Sequence, residues 1–394
     1  MALDILANIN VLGYFIALFF CVLISGFVFN FISKGYFLSP LLLVDLVYFQ
    51  SALFLVFYNN SNYIFEGLFL VAFYVAVRCF FSLNIFRVKV SSLEVSQLFI
   101  KSVLFLNISV FLCVFYLLNF SGMATIGSAY KISWTLDYPK LSLLYSACVP
   151  LFFSTVVYAV KVRRNSFLIS SFGMLLFVFN GISFHSKGFF LQLCFFVSLI
   201  LIITDRKISL KNVFFIGFIV FGAVLLFYGG DVLGFGLRVL KNADGIFITL
   251  HESMNEKITL EYPIIVYIFK FLFFKLDSSL LDVGNLLALN TSYYYPQYGG
   301  PNSHILLYFI LGKSKFDAII MMLALVSMVT VVCLSMKKLS NNYFAFCISS
   351  YVYFNAFLLI QSPSTFFLLF MKYLVVMFFF VSLYLLMPKK KRFL

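Results

Sequence analysis

Apolar runs of about twenty residues recur along the whole chain, with short polar loops between them. A run of this length, folded as a helix with a rise of about 1.5 Å per residue, crosses a hydrocarbon core of about 30 Å. Hydrophobic residues make up 63% of the chain and charged residues 11%, which excludes a soluble globular protein. Because the alternation typical of membrane β-strands is absent, the runs predict an all-α fold, a polytopic integral membrane helical bundle in a single membrane domain, 1–394.

The runs give eleven predicted transmembrane helices, near residues 10–32, 38–58, 64–83, 98–119, 141–160, 166–184, 188–204, 212–228, 317–336, 343–361 and 364–387. Basic residues in short loops set the orientation, because such loops stay in the cytoplasm. This rule places the N-terminus outside and the C-terminus inside, with cytoplasmic loops at 87–89, 161–164, 206–211, 337–338 and 389–392. These loops hold most of the net charge of +14, which we attribute to topology and membrane lipids and not to nucleic-acid binding.

The long segment at 229–316 is the main interruption between the apolar runs, and it is predicted to lie outside with short helices of its own. Residues 229–303 hold seven of the 14 acidic residues. The apolar run at 264–274 is too short to span a bilayer and contains Lys270, so we expect a helix lying on the outer membrane surface. A re-entrant pair of half-helices is the alternative.

Cations at the predicted outer surface are candidates for binding an anionic group. Lys187 sits where one predicted span ends and the next begins, and Arg238 follows the next outward span by about ten residues. The planar fork of arginine and the point charge of lysine suit a phosphate or pyrophosphate headgroup. The alternative is that both side chains extend to lipid phosphates, as basic residues at helix ends commonly do.

Three short motifs occur in order on the predicted outer side. Residues 186–188 are Ser-Lys-Gly at a span end, residues 236–238 are Gly-Leu-Arg near the start of the long segment, and residues 302–312 begin Asn-Ser-His and end in glycine. Together they resemble the bacterial O-antigen polymerases of the Wzy type and, through a shared core, the O-antigen ligases. The resemblance covers roughly residues 165–336. Lysine replaces the usual arginine in the first motif, and Ile305 stands where asparagine is usual in the third.

The resemblance implies an integral-membrane, inverting glycosyltransferase at the periplasmic face of the bacterial inner membrane, in lipopolysaccharide biosynthesis. Such an enzyme transfers a growing glycan to a new lipid-linked repeat unit, so undecaprenyl-pyrophosphate-linked oligosaccharides are both donor and acceptor. Because pyrophosphate is a good leaving group, neither a metal nor a general acid is required, and no cofactor is expected. A chain-length regulator protein is the partner that the family implies.

In this chemistry the acceptor hydroxyl loses a proton as it attacks the anomeric carbon, and the pyrophosphate must be held as charge develops on it. We assign His304 as the general base; the alternative is a histidine that caps an outer helix. The pyrophosphate is assigned to three cations, Arg238, Lys187 and Lys241. A continuous helix over 304–336 would exceed one span, so we expect a separate periplasmic helix that turns near Gly312.

Aromatic residues are candidates for the sugar-binding surface, because rings with polar tips suit the CH faces and hydroxyls of a saccharide. A loop bounded by glycine and proline just before His304 contains Tyr293, Tyr294, Tyr295 and Tyr298. Trp134 and Asp137, in the outer loop at 120–140, form a second set. An interfacial aromatic belt is the alternative for these residues.

Ionisable residues inside the predicted spans need partners or an exit to water. Asp45 and Lys372 lie well within their helices, where a lone charge is costly, so a buried pair or a water-filled cavity is expected. Arg78 and Lys101 lie nearer the cytoplasmic ends, and we expect their side chains to extend to the membrane surface.

Two other classes of function stay open. A ligase of the same superfamily would use the same donor but attach the glycan to a lipid A core; the His-Asn turn typical of ligases is missing here, which favours a polymerase. A lipid-linked oligosaccharide flippase or another transporter is the non-enzyme alternative. Such proteins more often carry internal repeats and polar residues near the membrane midplane, whereas polar groups here gather outside the spans.

Overall fold

The computed structural model describes residues 4, 7–33, 40–59, 62–120, 137–183, 188–204, 243–273, 282–292 and 304–387. These residues form helices and loops, and the β pairing among them is limited to three isolated bridges. The all-α class is therefore confirmed. Among the described residues, six helices are long and apolar enough to cross a membrane, namely Pro40–Phe57, Ile64–Phe81, Gln97–Phe120, Pro139–Lys161, Lys315–Leu339 and Pro363–Leu386.

The helices follow the predicted spans closely, and short helices occupy the long segment between them. In chain order they are α1 (Val11–Ser33), α2 (Pro40–Phe57), α3 (Ile64–Phe81), α4 (Gln97–Phe120), α5 (Pro139–Lys161), α6 (Phe167–Ser183), α7 (Gly188–Thr204), α8 (Asp244–His251), α9 (Met254–Lys257), α10 (Ile264–Ile268), α11 (Lys270–Phe273), α12 (Val283–Asn290), α13 (Ile305–Leu311), α14 (Lys315–Leu339), α15 (Tyr343–Phe354), α16 (Ala356–Gln361) and α17 (Pro363–Leu386). Three of them, α2, α5 and α17, begin at a proline, whose fixed φ and missing N–H suit the first helical turn. The predicted span at 212–228 lies outside the described residues, and the number of spans and their orientation remain predictions.

Two predicted helices are each broken into two. The span predicted at 343–361 is interrupted at Asn355, whose carbonyl accepts the amides of the residues three and four positions later and so starts a new helix, α16. The segment predicted to be helical at 264–274 forms two short helices, α10 and α11, which are separated at Phe269. The Phe269 ring packs on Phe367, with ring centroids 4.6 Å apart. The position of this segment relative to a membrane surface remains a prediction.

Contacts divide the chain into two compact units. The first comprises residues 1–86, 210–331 and 355–368. Its central helix is α2, which is buried along most of its length and packs on α1, α3 and α16. The short helices α8, α9, α12 and α13 pack against one another, and α8 also packs on α2. This cluster of short helices is therefore attached to the central helix of the unit through α8.

All seven residues of α13 are buried, so this helix is an internal element of the first unit. His304 begins it and Gly312 ends it. A Cβ atom on Gly312 would lie 2.3 Å from the carbonyl oxygen of Tyr308, so any residue other than glycine would force the backbone of this turn to shift. Because α14 begins as a distinct helix after this turn, the predicted separate helix that turns near Gly312 is confirmed.

The second unit comprises residues 87–209, 332–354 and 369–394. Helix α5 packs on α4, α7 and α15, and α4 also packs on α6. Phenylalanine rings fill the space between these helices, as where the Phe111 and Phe152 centroids lie 5.3 Å apart. A Cβ atom on Gly173 would lie 2.5 Å from the Phe152 ring. A glycine in α6 therefore allows this helix to approach the rings closely.

Candidate functional site

His304, the predicted catalytic base, is 1% exposed. Its Nδ1 accepts a hydrogen bond from the Leu306 amide at 3.2 Å and so caps the first turn of α13. Since Nδ1 accepts, the neutral ring carries its proton on Nε2, which faces the Val47 carbonyl without meeting hydrogen-bond geometry. Burial lowers the pKa of His304 to about 3, with a smaller opposite effect of the Val47 carbonyl. His304 is therefore a neutral cap at physiological pH.

Two stacked tyrosines adjoin the imidazole. The Tyr48 ring centroid lies 6.3 Å from that of His304 and 4.1 Å from that of Tyr74, to which it is nearly parallel at 20°. The Tyr48 hydroxyl donates to the Leu70 carbonyl at 3.3 Å, and both tyrosine side chains are fully buried. The stack thus joins α2 to α3 beside the start of α13.

Tyr74 of this stack also contacts a buried ion pair. Asp45 Oδ1 accepts hydrogen bonds from Arg78 Nε at 3.1 Å and from the Tyr74 hydroxyl, and Asp45 Oδ2 accepts one from the Ser25 hydroxyl at 2.5 Å. Arg78 Nη1 also donates to the Ser82 hydroxyl at 3.2 Å. Both charged side chains are 3% exposed. Protein groups therefore take the place of water around the two charges, as a charge in an apolar interior requires.

This ion pair confirms that Asp45 has a buried partner, and it shows that the partner is Arg78. The prediction that Arg78 extends to the membrane surface is wrong. Arg78 lies one turn after Tyr74 on the same face of α3, and that face meets Asp45 of α2. Lys372 belongs to the second unit, where it is half-buried. Lys101 is half-buried on α4, and its exit to the membrane surface remains a prediction.

Glu252 anchors the chain just before the tyrosine-rich loop. It accepts hydrogen bonds from the Thr291 hydroxyl at 2.9 Å, the Ser292 hydroxyl at 2.5 Å and the Ser292 amide at 3.1 Å. Partial burial raises the pKa of Glu252, but the bonds from Ser292 and Thr291 outweigh it and leave the pKa below its ordinary value. Next to it, His251 Nδ1 lies 3.2 Å from the Tyr58 hydroxyl, which links α8 to the end of α2.

Most other predicted site residues lie outside the described residues. They are Lys187, Arg238, Lys241, Trp134, Tyr293, Tyr294, Tyr295 and Tyr298. Asp137 is described, exposed and just ahead of α5 in the second unit. The roles assigned to all of these residues remain predictions.

The residues around His304 that sequence reasoning missed are the two stacked tyrosines. Their signal was helical spacing: Tyr48 follows Asp45 by three residues, and Tyr74 precedes Arg78 by four. These spacings place polar groups on one face of a helix that is otherwise apolar. A search for such pairs inside the spans would have found the network.

Comparison of the chain with protein-family models, with curated proteins and with solved structures gives no match. In the part of the chain that the structure describes, no group of three or more histidine, cysteine or acidic side chains is arranged to hold a metal ion. The fold and the site define a class: a helical membrane protein whose first unit holds a buried ion pair, an aromatic stack and a buried histidine cap.

Proposed function

We propose that this chain is an O-antigen repeat-unit polymerase, an inverting integral-membrane glycosyltransferase acting at the periplasmic face of the inner membrane. The observation that carries the proposal is the third sequence motif. It folds as a fully buried helix bounded by His304 and Gly312, beside the central helix of a membrane unit. The ordered motifs at 186–188 and 236–238 supply cations of the kind that bind pyrophosphate.

In the proposed reaction, the oxygen of an acceptor sugar hydroxyl attacks the anomeric carbon of the donor glycan. The bond between that carbon and the undecaprenyl pyrophosphate breaks, and the pyrophosphate leaves with the bonding electron pair. The hydroxyl proton passes to a base. Arg238, Lys187 and Lys241 keep their assignment to the leaving group, where positioned cations stabilise the developing charge. One direct displacement inverts the anomeric centre.

The proposal requires a specific change at His304. The neutral imidazole has one lone pair for accepting a proton, on Nδ1, and the Leu306 amide occupies it. Proton transfer to His304 therefore requires the acceptor hydroxyl to replace this amide, or the ring to change tautomer so that Nε2 accepts. Because the ring is 1% exposed, either route requires that the bound acceptor open the packing around the start of α13.

Two substitutions at His304 distinguish its proposed role as general base from its role as helix cap. His304→Ala removes both roles, whereas His304→Asn keeps a side-chain oxygen that caps helix N-termini well but does not accept a proton at neutral pH. We expect both variants to lose polymer extension, measured as the length distribution of lipopolysaccharide on gels at matched protein level. His251→Asn, at an exposed histidine of the same unit, is the matched control and should give wild-type lengths. Normal lengths with His304→Asn would assign a purely structural cap.

Deletion of the gene tests the class of function. Loss of a polymerase leaves lipid A capped by one repeat unit, which is the expected result. Loss of a ligase leaves no capped lipid A, with polymer accumulating on its lipid carrier. Loss of a flippase leaves repeat units inside the cell. Either of the last two outcomes contradicts the proposed polymerase.

A further inference from the structure

Three segments of the second unit, 87–96, 161–166 and 335–342, carry seven basic residues and one acidic residue, Glu94. The basic residues, named here the basic face, are Arg87, Lys89, Lys161, Arg163, Arg164, Lys337 and Lys338. Lys89 and Arg163 are exposed. So strong an excess of one charge sign would repel itself if nothing balanced it.

Hydrogen bonds hold the three segments together. The Leu93 amide donates to the Asn341 carbonyl at 3.0 Å, and the Tyr343 amide donates to the Leu93 carbonyl at 3.1 Å. Lys161, the last residue of α5, donates to the Ser340 hydroxyl at 2.8 Å and to the Asn341 side-chain oxygen at 2.7 Å. The basic face is therefore assembled by the tertiary structure from segments that are far apart in sequence.

Arg163 stands in a backbone conformation that favours glycine, with φ at 52°. Its amide donates to the Val160 carbonyl at 3.2 Å, and the Arg164 amide donates to the Ala159 carbonyl at 2.9 Å. This pair of bonds is a Schellman ending of α5, and Arg163 occupies the position that is usually glycine. The turn itself therefore favours glycine and gives no reason for an arginine.

Exposed apolar side chains border the basic face. Phe167 and Leu168, at the start of α6, are 77% and 81% exposed. The Gln97 side chain, at the start of α4, donates to the Asn165 carbonyl at 3.2 Å, which holds this turn against α4. Helices α4 and α5 are both long enough to cross a membrane, and the basic face lies at their adjoining ends. Cations beside exposed apolar groups at such ends suit the boundary between lipid headgroups and acyl chains.

We propose that the basic face is a binding site for the phosphate headgroups of anionic glycerophospholipids, with Arg163 and Lys89 as its exposed anchors. Charge complementarity selects an anionic headgroup, and the apolar border selects a lipid over a soluble anion. The predicted topology places this end in the cytoplasm, where the leaflet is anionic. The site uses only residues of the second unit and does not depend on the proposed polymerase activity.

The test uses the full chain reconstituted in phosphatidylcholine vesicles. The association of spin-labelled phosphatidylglycerol is measured relative to that of spin-labelled phosphatidylcholine. Arg163→Gly is the decisive variant, because glycine suits the observed φ and removes the cation without opening the turn. Lys89→Gln is a second variant at the exposed loop. Lys140→Gln is the matched control, since Lys140 is an exposed lysine at the opposite end of α5.

We expect the wild-type chain to prefer phosphatidylglycerol, and this preference to fall by about fivefold in each of the two variants, the effect of one basic residue near an anionic surface. Added salt should weaken the preference for phosphatidylglycerol. The Lys140→Gln variant should show the same preference as the wild type. The thermal midpoint of Arg163→Gly should equal or exceed that of the wild type. No lipid preference in the wild type, or an undiminished preference in both variants, overturns the proposal. So does binding of an acidic polypeptide without any preference for phosphatidylglycerol.

Discussion

Replacing Asp45 with asparagine tests how much the buried ion pair stabilises the first unit. Asp45 Oδ1 lies 3.1 Å from Arg78 Nε, and both side chains are 3% exposed, so the substitution leaves a guanidinium charge buried without its counter-charge. Breaking a buried pair from one side costs about 3–5 kcal/mol, whereas replacing both partners costs far less. We expect Asp45→Asn to lower the free energy of unfolding by about 3–5 kcal/mol. The double variant Asp45→Asn with Arg78→Met should recover a large part of this loss.

Unfolding of the purified chain in detergent can be followed with a thiol-reactive dye. All seven cysteines are free, and the half-buried Cys21 and Cys79 belong to the first unit, so a rise in their reaction reports opening of that unit. Lys372→Met is the matched control, because it removes a half-buried charge from a long apolar helix and should cost little. A wild-type midpoint for Asp45→Asn would refute the reasoning. Additive losses in the double variant would also refute it, since coupled partners must deviate from additivity.

Three further predictions concern the short helices of the first unit. The pKa of Glu252 is lower in the folded chain than in the unfolded chain. Its hydrogen bonds therefore stabilise the fold fully above the ordinary carboxyl pKa, and this stabilisation is lost as pH falls through the lowered value. Glu252→Gln should remove this acid sensitivity in thermal unfolding below about pH 4. The folded pKa of His304, about 3, lies below the unfolded value of about 6.5. Stability should therefore fall by up to about 1.4 kcal/mol per pH unit below about pH 6.5, and an unchanged slope in His304→Asn would contradict this. Gly312→Ala should cost about 1–3 kcal/mol, because its Cβ would lie 2.3 Å from a carbonyl oxygen; a wild-type midpoint would show that the turn relaxes.

The helices could be predicted to within a few residues because the length of an apolar run is a one-dimensional signal. The prediction at 188–204 has the limits of α7, and the prediction at 64–83 ends two residues beyond α3. The break at Asn355 could not be predicted from the length of the apolar run, since the residues on both sides are apolar. It is set by backbone hydrogen bonds that restart the helix.

The partner of Asp45 could not be predicted from chain position alone. Arg78 lies 33 residues away and near a span end, where an extended side chain that reaches the surface is the usual outcome. Which way it turns depends on the rotation of α3 about its axis. A helix that is apolar on nearly all sides encodes that rotation weakly, because it has no single hydrophobic face. The i, i+4 spacing of Tyr74 and Arg78 was the remaining local clue.

The ion pair and the buried histidine cap belong to one continuous set of contacts, and this limits what a loss of activity can show. Asp45 holds Tyr74, Tyr74 stacks on Tyr48, and Tyr48 adjoins His304. A substitution at Asp45 can therefore disturb His304 even if Asp45 itself takes no part in the chemistry. Activity that returns together with stability in the double variant Asp45→Asn with Arg78→Met would assign the pair a structural role. If stability returns but activity does not, one of the two charges takes a direct part in the reaction.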